Sequence, residues 1–230
     1  MKATIIIVLG ALILLCSLYA TAKHRAGFTA RLIRYELKPG YQAQFRKAVS
    51  RYVKQAIADK SNVMAEAYYE QESTQVIWLI ERWSGKKAMP KFDEAGLVKA
   101  ATTYQLKDLE PLTKQQWRKT SRIEDKQLTI MLFVDAREGT EEQFKEIYHR
   151  AMPQFRSEPG VVTYQLSAIE GADTRFVTYE KFRSQEAFAY HLDFPPIKPV
   201  VSFLESSIKN SPFQQGLHHL IEFAPLTREQ

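Results

Sequence analysis

Two acids and one histidine are the residues of this chain best suited to handling a proton. The stretch TYEKFRSQEAFAYHLDFPP, Thr178 to Pro196, reads as a β-strand, a short turn and a helix that stops at two prolines. Glu180 lies near the end of that strand and His191 at the far end of the helix. A carboxyl taken into a core would have a raised pKa and could serve as a base, and a neutral imidazole can accept a proton near neutral pH. Each also has a structural use. A strand carboxylate pairs readily with Arg or Lys on a neighbouring strand, and a helix-end histidine can hydrogen-bond a helix-end carbonyl. The structural use is the favoured one for both. Glu81 poses the same choice again, because Glu81-Arg82-Trp83 repeats the pattern of Glu180-Lys181-Phe182.

Other chemistries lose their usual support. His218 and His219 are neighbours on an expected strand, so they point to opposite faces and cannot chelate one metal as a simple pair. The single cysteine, Cys16, sits in an apolar run, which leaves the body without a thiolate ligand or nucleophile. No GxGxxG, phosphate-binding loop or GxSxG occurs. No metal is therefore expected. The aromatics Tyr68, Tyr69, Trp78, Trp83, Tyr164, Tyr179 and Phe182 could line an aromatic-binding cavity, although at strand spacing such side chains more often fill a core.

The elements that must position these residues come as a repeat. LKPGYQAQF at Leu37 to Phe45 matches AREGTEEQF at Ala136 to Phe144, and the same offset of 99 residues aligns Glu81 with Glu180 and Ala88 with Ala187. Each copy opens on a strand, Arg31 to Leu37 or Leu128 to Ala136, followed by a Gly turn. The spacing then predicts helices over Tyr41 to Ala58 and Thr140 to Ser157, the second strained by Pro153. Paired strands follow at Val63 to Glu70 with Gln75 to Trp83, and at Val161 to Ile169 with Arg175 to Phe182. A second helix is expected near Gly85 or Ser184, and a closing strand at Gln105 to Leu112 or Leu217 to Phe223. The order β-α-β-β-α-β is the split βαβ, or ferredoxin-like, plan. Its sheet leaves one face bare, so two such sheets should face each other. The expected fold is α+β, with tandem ferredoxin-like domains forming a pseudo-dimeric α/β barrel within one chain. The domains are assigned to residues 26–112 and 127–230, joined by a polar linker at 113–126.

Residues 1–25 stand apart. From Ala3 to Ala22 no charge interrupts an apolar run about long enough to span a bilayer. Lys23 and Arg25 beyond it favour a retained membrane anchor, while Ala20-Thr21-Ala22 also fits a cleaved secretory signal. The basic cluster leans the body towards the cytoplasm; cleavage would make it periplasmic or secreted. The formal net charge of +6 hides an asymmetry: residues 23–126 carry 21 Lys+Arg against 12 Asp+Glu, and residues 127–230 carry 10 against 14. Such halves suit docking on each other, whereas the scattered basic residues do not point to nucleic acid.

Each copy resembles an antibiotic biosynthesis monooxygenase (ABM) domain of the dimeric α/β-barrel superfamily. The likeness spans most of residues 30–112 and 127–226. It rests on the strand, Gly turn and helix with Gly139 and Phe144, on the Glu158-Pro159-Gly160 turn, and on Glu180-Lys181-Phe182 leading to Ala187 and His191. The resemblance implies oxidation of a quinol or other small aromatic by dioxygen, with no cofactor. It also places His191 near the barrel mouth, with Tyr190, Asp193 and Phe194 as neighbours. Haem degradation is not expected, because the first-strand Asn of the haem-degrading relatives is replaced by Ile33 in one copy and Leu132 in the other. Phe92 matches His191 in the first copy, so only the second could use a histidine there. The candidate catalytic residues are His191 and Glu180, and the candidate substrate-binding residues are Tyr164, Tyr179, Phe182, Tyr190 and Phe194. The competing expectation is a non-catalytic barrel that binds an apolar ligand or serves as an interaction module. A homo-oligomer is compatible with either.

Overall fold

The structure is a computed structural model that describes residues 28–85, 92, 96–119, 124–210 and 216–225. The expected amino-terminal membrane segment lies outside the described residues, as does most of the second helix expected after Gly85. Among the described residues no helix is long and apolar enough to cross a membrane.

The first half runs β1 (Phe28–Leu37), α1 (Gln42–Ala58), β2 (Asn62–Glu70), β3 (Ser73–Ser84) and β4 (Val98–Leu109). A short helix α2 (Lys114–Trp117) follows. The second half runs β5 (Leu128–Asp135), α3 (Glu141–Ser157), β6 (Val161–Ile169), β7 (Arg175–Phe182), α4 (Gln185–Asp193), a 3-10 turn (Pro195–Ile197), α5 (Lys198–Ser206) and β8 (Leu217–Ala224). The Gly turns that start α1 and α3 hold Gly40 at φ 87° and Gly139 at φ 83°. An added Cβ would meet nothing within 4 Å at either position, so it is the left-handed backbone that calls for glycine.

All eight strands close into one antiparallel barrel in the order β1-β3-β2-β8-β5-β7-β6-β4. The closing strands join the halves. β4 pairs with β1 of its own half and, over Leu106–Leu109, with β6 of the other. β8 likewise pairs with β5 and crosses to β2. The bare faces that the split βαβ plan left uncovered thus meet inside the barrel.

Strand alternation sorts the side chains into three layers. Inward positions such as Leu32, Tyr68, Trp78, Ile80, Met131 and Tyr179 fill the barrel. Outward positions of the first half pack beneath Phe45, Val49, Tyr52 and Val53 of α1. Those of the second half pack beneath Phe144, Tyr148, Met152 and Phe155 of α3, together with α5. Helix α3 continues through Pro153, because the buried residues on either side of it hold the turn in place against the lost hydrogen bond.

Two boundaries differ from expectation. β4 starts at Val98 rather than Gln105, since Lys99 to Thr103 are exposed and show no inside-outside alternation to read. The linker is also partly structured. Thr113 and Gln116 form a capping box on α2, which delivers Trp117 into the barrel core, 2 % exposed. There the Arg82 guanidinium lies 3.8 Å from its ring centroid while bonding Asp108 at 2.7 Å.

Candidate active site

Glu180 and His191 come together in the layer between the second-half sheet and its helices. Glu180 is on the outward face of β7, with Ile130 of β5 and Tyr164 of β6 as its cross-strand neighbours. Neither neighbour is a cation, and among the described residues no Lys or Arg pairs with this acid. Burial pushes its carboxyl up to about 7, partly offset by hydrogen bonds from the Thr178 and Tyr164 hydroxyls. Tyr164 is linked in turn to Tyr148 of α3. Burial first, and then the charge of Glu180, holds both phenols far above their ordinary range, so they remain hydrogen-bond donors.

His191 is brought in by α4. Ser184 caps that helix, its hydroxyl accepting from Ala187 N at 3.2 Å. Gly160 allows the close approach to the sheet: a Cβ there would lie 2.3 Å from the Cβ of Ala187. The imidazole is buried beneath Phe155, Tyr164 and Phe182, at ring separations of 4.7, 5.5 and 5.2 Å. Its Nδ1 lies 2.8 Å from Glu158 Oε1, and the two side chains are 2 % and 1 % exposed. Burial lowers His191 to about 4 and, with the Glu180 charge as a smaller cause, raises Glu158 to about 7. The pair is therefore neutral over much of its range, one proton lying between a carboxyl and an imidazole. Glu158 Oε2 is buried and has no hydrogen-bond partner among the described residues.

The remaining sequence candidates divide by face. Tyr164 and Phe182 share the layer with Glu180 and His191. Tyr179, one residue from Glu180, points to the opposite side. Inside the barrel its hydroxyl lies 2.6 Å from that of Tyr68, and both donate to Glu66. Lys181 completes that cluster, 2.9 Å from Glu66 and 3.2 Å from Glu222. Tyr190, 55 % exposed, stands outside the layer and stacks on Phe194, which is half-buried and packs against the layer's edge. His191 packs between Phe155 of α3 and Phe182 of β7, and its Nδ1 faces Glu158 rather than a helix-end carbonyl.

Glu158 and Tyr148 also belong to this cluster, although the sequence pattern marks Glu158 only as part of the Glu158-Pro159-Gly160 turn. Glu158 carried a signal. An acid just past the carboxyl end of a helix faces the negative end of the helix dipole and needs some other reason to be there. A groove of about 310 Å³ runs between α3 and the prolines Pro196 and Pro199, lined by Ile147 and Ala151 and by none of the cluster residues.

Residues 128–201 match the model of the antibiotic biosynthesis monooxygenase family. No curated protein matches the chain. Among solved structures, a proposed monooxygenase from Lactobacillus acidophilus NCFM is similar at TM-score 0.69 and 12 % identity, covering 85 % of this chain and 94 % of its own. One from Fusobacterium nucleatum subsp. nucleatum is similar at TM-score 0.69 and 11 % identity, covering 88 % and 100 %. An anthrone oxidase-like protein follows at TM-score 0.55 and 11 % identity, covering 90 % and 98 %. At such identities the likeness is one of fold. The matched segment 128–201 is the one that holds Glu158, Glu180 and His191.

Proposed function

We propose that the second half oxidises a quinol or a similarly electron-rich small aromatic with dioxygen, using no cofactor. The observation that carries this reading is Glu180: a buried carboxyl without a cation, at a pKa of about 7, hydrogen-bonded by Tyr164 in an aromatic layer. Such a group can take a phenolic proton at neutral pH. The phenolate is a better electron donor than the phenol. Tyr148 and Tyr164, which stay protonated, can donate to the negative charge that develops on oxygen. For a quinol the balance is quinol plus O₂ giving hydroxyquinone plus water, the substrate supplying all four electrons. The neutral Glu158–His191 pair would exchange the proton that leaves as water forms. The family match of residues 128–201 and the fold shared with proposed monooxygenases support the reaction class. The groove above Ala151 is of a size for one small ring system. A retained amino-terminal anchor would hold this half beside lipid-soluble quinols, and membrane retention through carbonate washing tests that part.

One observation favours the competing reading of a non-catalytic barrel. His191, Phe155 and Tyr164 are in mutual ring contact and Phe182 packs on His191, so the layer is filled in this conformation. Oxygen consumption with menadiol-type quinols separates the two. The proposal expects turnover above the uncatalysed background, with at least a hundredfold loss in Glu180→Gln and a clear loss in His191→Ala. Background rates across a panel of quinols and phenols would leave the ligand-binding barrel standing.

A further inference from the structure

Three helices cover the second-half sheet and its aromatic layer, and they hold to it unequally. α3 buries Phe144, Tyr148, Ala151, Met152 and Phe155, and α5 buries Val200, Phe203 and Leu204. Of the nine residues of α4, only His191 is buried. Ala187 and Phe188 rest half-buried at the inner edge of this helix, the Phe188 ring 5.3 Å from that of Phe182, whereas Tyr190 and Leu192 stand 55 % and 50 % exposed. Among the described residues a single side-chain hydrogen bond joins α4 to the rest of the chain, the one between His191 and Glu158. A helix of this length is marginal on its own propensity, so contact with the sheet must keep it in place. Most of that contact is one imidazole, seated among rings and against a carboxyl.

The ends of α4 are suited to turning. Ser184 before it and Phe194 after it both have extended backbone, at ψ 174° and 125°. Beyond each of them the chain is fixed. Arg183 N donates to the Gly160 carbonyl at 2.9 Å and Arg183 Nη1 to Asp125 at 2.7 Å, while Ile197 on the other side is buried. A helix bounded by one extended residue at each end, between two fixed points, can rotate as a unit about the line that joins them. The closed position also carries a cost. Glu158 Oε2 is buried without a partner among the described residues, and solvent would satisfy it once α4 turned outward.

We propose that α4 is a flap over the second-half layer, turning outward on Ser184 and Phe194 with the His191–Glu158 contact as its latch. Opening lifts His191 from Tyr164, the cross-strand neighbour of Glu180, and from Phe182, the next outward residue of β7. The filled layer then admits a small aromatic beside Glu180 while α3 and the barrel stay where they are. That use of the flap rests on reading Glu180 as the reacting group, whereas the motion itself does not.

Hydrogen exchange of the full chain without substrate, followed by mass spectrometry, tests the motion. Amides of residues 189–193 should exchange at least tenfold faster than the interior amides of α3 and α5, through an opening that low urea concentrations do not accelerate. His191→Ala should raise exchange in α4 a further tenfold while α3 and α5 keep their protection. Entry is read on the parent with diethylpyrocarbonate, a small acylating agent for neutral imidazoles. His191 should be acylated with the same opening constant as the α4 amides, at least tenfold faster than the opening of α3 would permit. Both measurements on the parent decide the matter even if the alanine variant does not fold. Exchange of α4 in step with α3, acylation of His191 no faster than α3 opens, or equal protection of α4 in a folded His191→Ala would overturn the proposal. Since no substrate is present, oxygen consumption at background rates would remove the oxidase reading and leave the flap standing.

Discussion

Glu81 and Glu180 hold the same place in the two halves, 99 residues apart on the outward face of β3 and β7, and they have opposite surroundings. Glu81 faces Arg31, its cross-strand neighbour on β1, at 2.6 Å, and also accepts from the Tyr52 hydroxyl at 2.7 Å. Glu180 faces Ile130 and has hydroxyls, those of Thr178 and Tyr164, but no cation beside it. The first half therefore uses its acid as one end of a buried ion pair, and the second keeps its acid able to take or release a proton. Phe92 and His191 repeat the contrast. Phe92 packs edge-on against Tyr35 and Phe45 as plain core, while the residue 99 positions later brings an imidazole to a carboxyl. The two halves share their strand order, and among the described residues the Glu158–Glu180–His191 cluster has no counterpart in the first half.

The largest effect that would test this contrast is on the first half. Arg31→Met should cost about 3–5 kcal/mol in chemical denaturation, because it strands the Glu81 carboxylate, 0 % exposed, without its cation. Adding Glu81→Leu should recover most of that loss. A single variant that unfolds like the parent would mean that Glu81 is not held as a charged group, and the difference between the halves would vanish.

The second effect is smaller and depends on pH. Burial raises Glu180 from its ordinary 4.5 to about 7, so its contribution to stability is complete below about 4.5 and is lost as pH climbs through 7. At most about 3 kcal/mol is involved. Glu158 acts in the same direction. His191 acts in the other: lowered to about 4, it supports the fold above 6.5 and withdraws that support as pH falls through 4. Glu180→Gln should therefore be more stable than the parent at pH 9 and gain nothing at pH 5. Parallel stability curves for the two proteins from pH 5 to 9 would show that Glu180 titrates normally, which removes the basis for its role as a base.

How far the sequence foretold this contrast depends on which interactions are local. The repeat, the barrel and the limits of β6 and β7 follow from alternation, turn chemistry and the constant offset, all of which act within a few residues. The cation for Glu81 was also legible in principle, since Arg31 and Ile130 sit at the same offset on the first strands. The tyrosines around Glu180 were not, because Tyr148 and Tyr164 align with Val49 and Ala65 and reach the acid from other positions. Glu158 finds His191 across 33 residues, through a helix angle set by Gly160. Tyr179 was assigned to the site by aromatic character, although its neighbour Glu180 already fixes it on the opposite face of β7.

Gly160 itself gives the third effect. Gly160→Ala would press a methyl onto Ala187 at 2.3 Å, and backbone lies behind it at 3.1 Å, so α4 must lift. The cost should be about 2 kcal/mol, with a disproportionate loss of quinol oxidation, since the same helix carries His191. Restoring the contact with Ala187→Gly should recover stability and activity together. Ser61 stands at the matching place in the first half, so no change there should mimic the effect.

The smallest effect concerns what the halves still share. Gly40 and Gly139 start α1 and α3 from the same left-handed backbone, φ 87° and 83°, with open space where a Cβ would stand. Alanine at either position meets no atom and leaves every side-chain contact in place. What remains is the energy of an L-residue in that region, about 1 kcal/mol, slightly offset by the reduced freedom of the unfolded chain. Because that penalty belongs to the backbone and not to the surroundings, it should be equal in the two halves even though their acids behave differently. The two turns share no partner, so the double variant should lose the sum, measured by urea denaturation of each single and of the pair. A markedly larger loss at Gly139 would mean that the turn before α3 is coupled to the Tyr148 and Glu180 cluster that this helix helps to cover, and that the second half has departed from the first in its backbone as well as in its side chains.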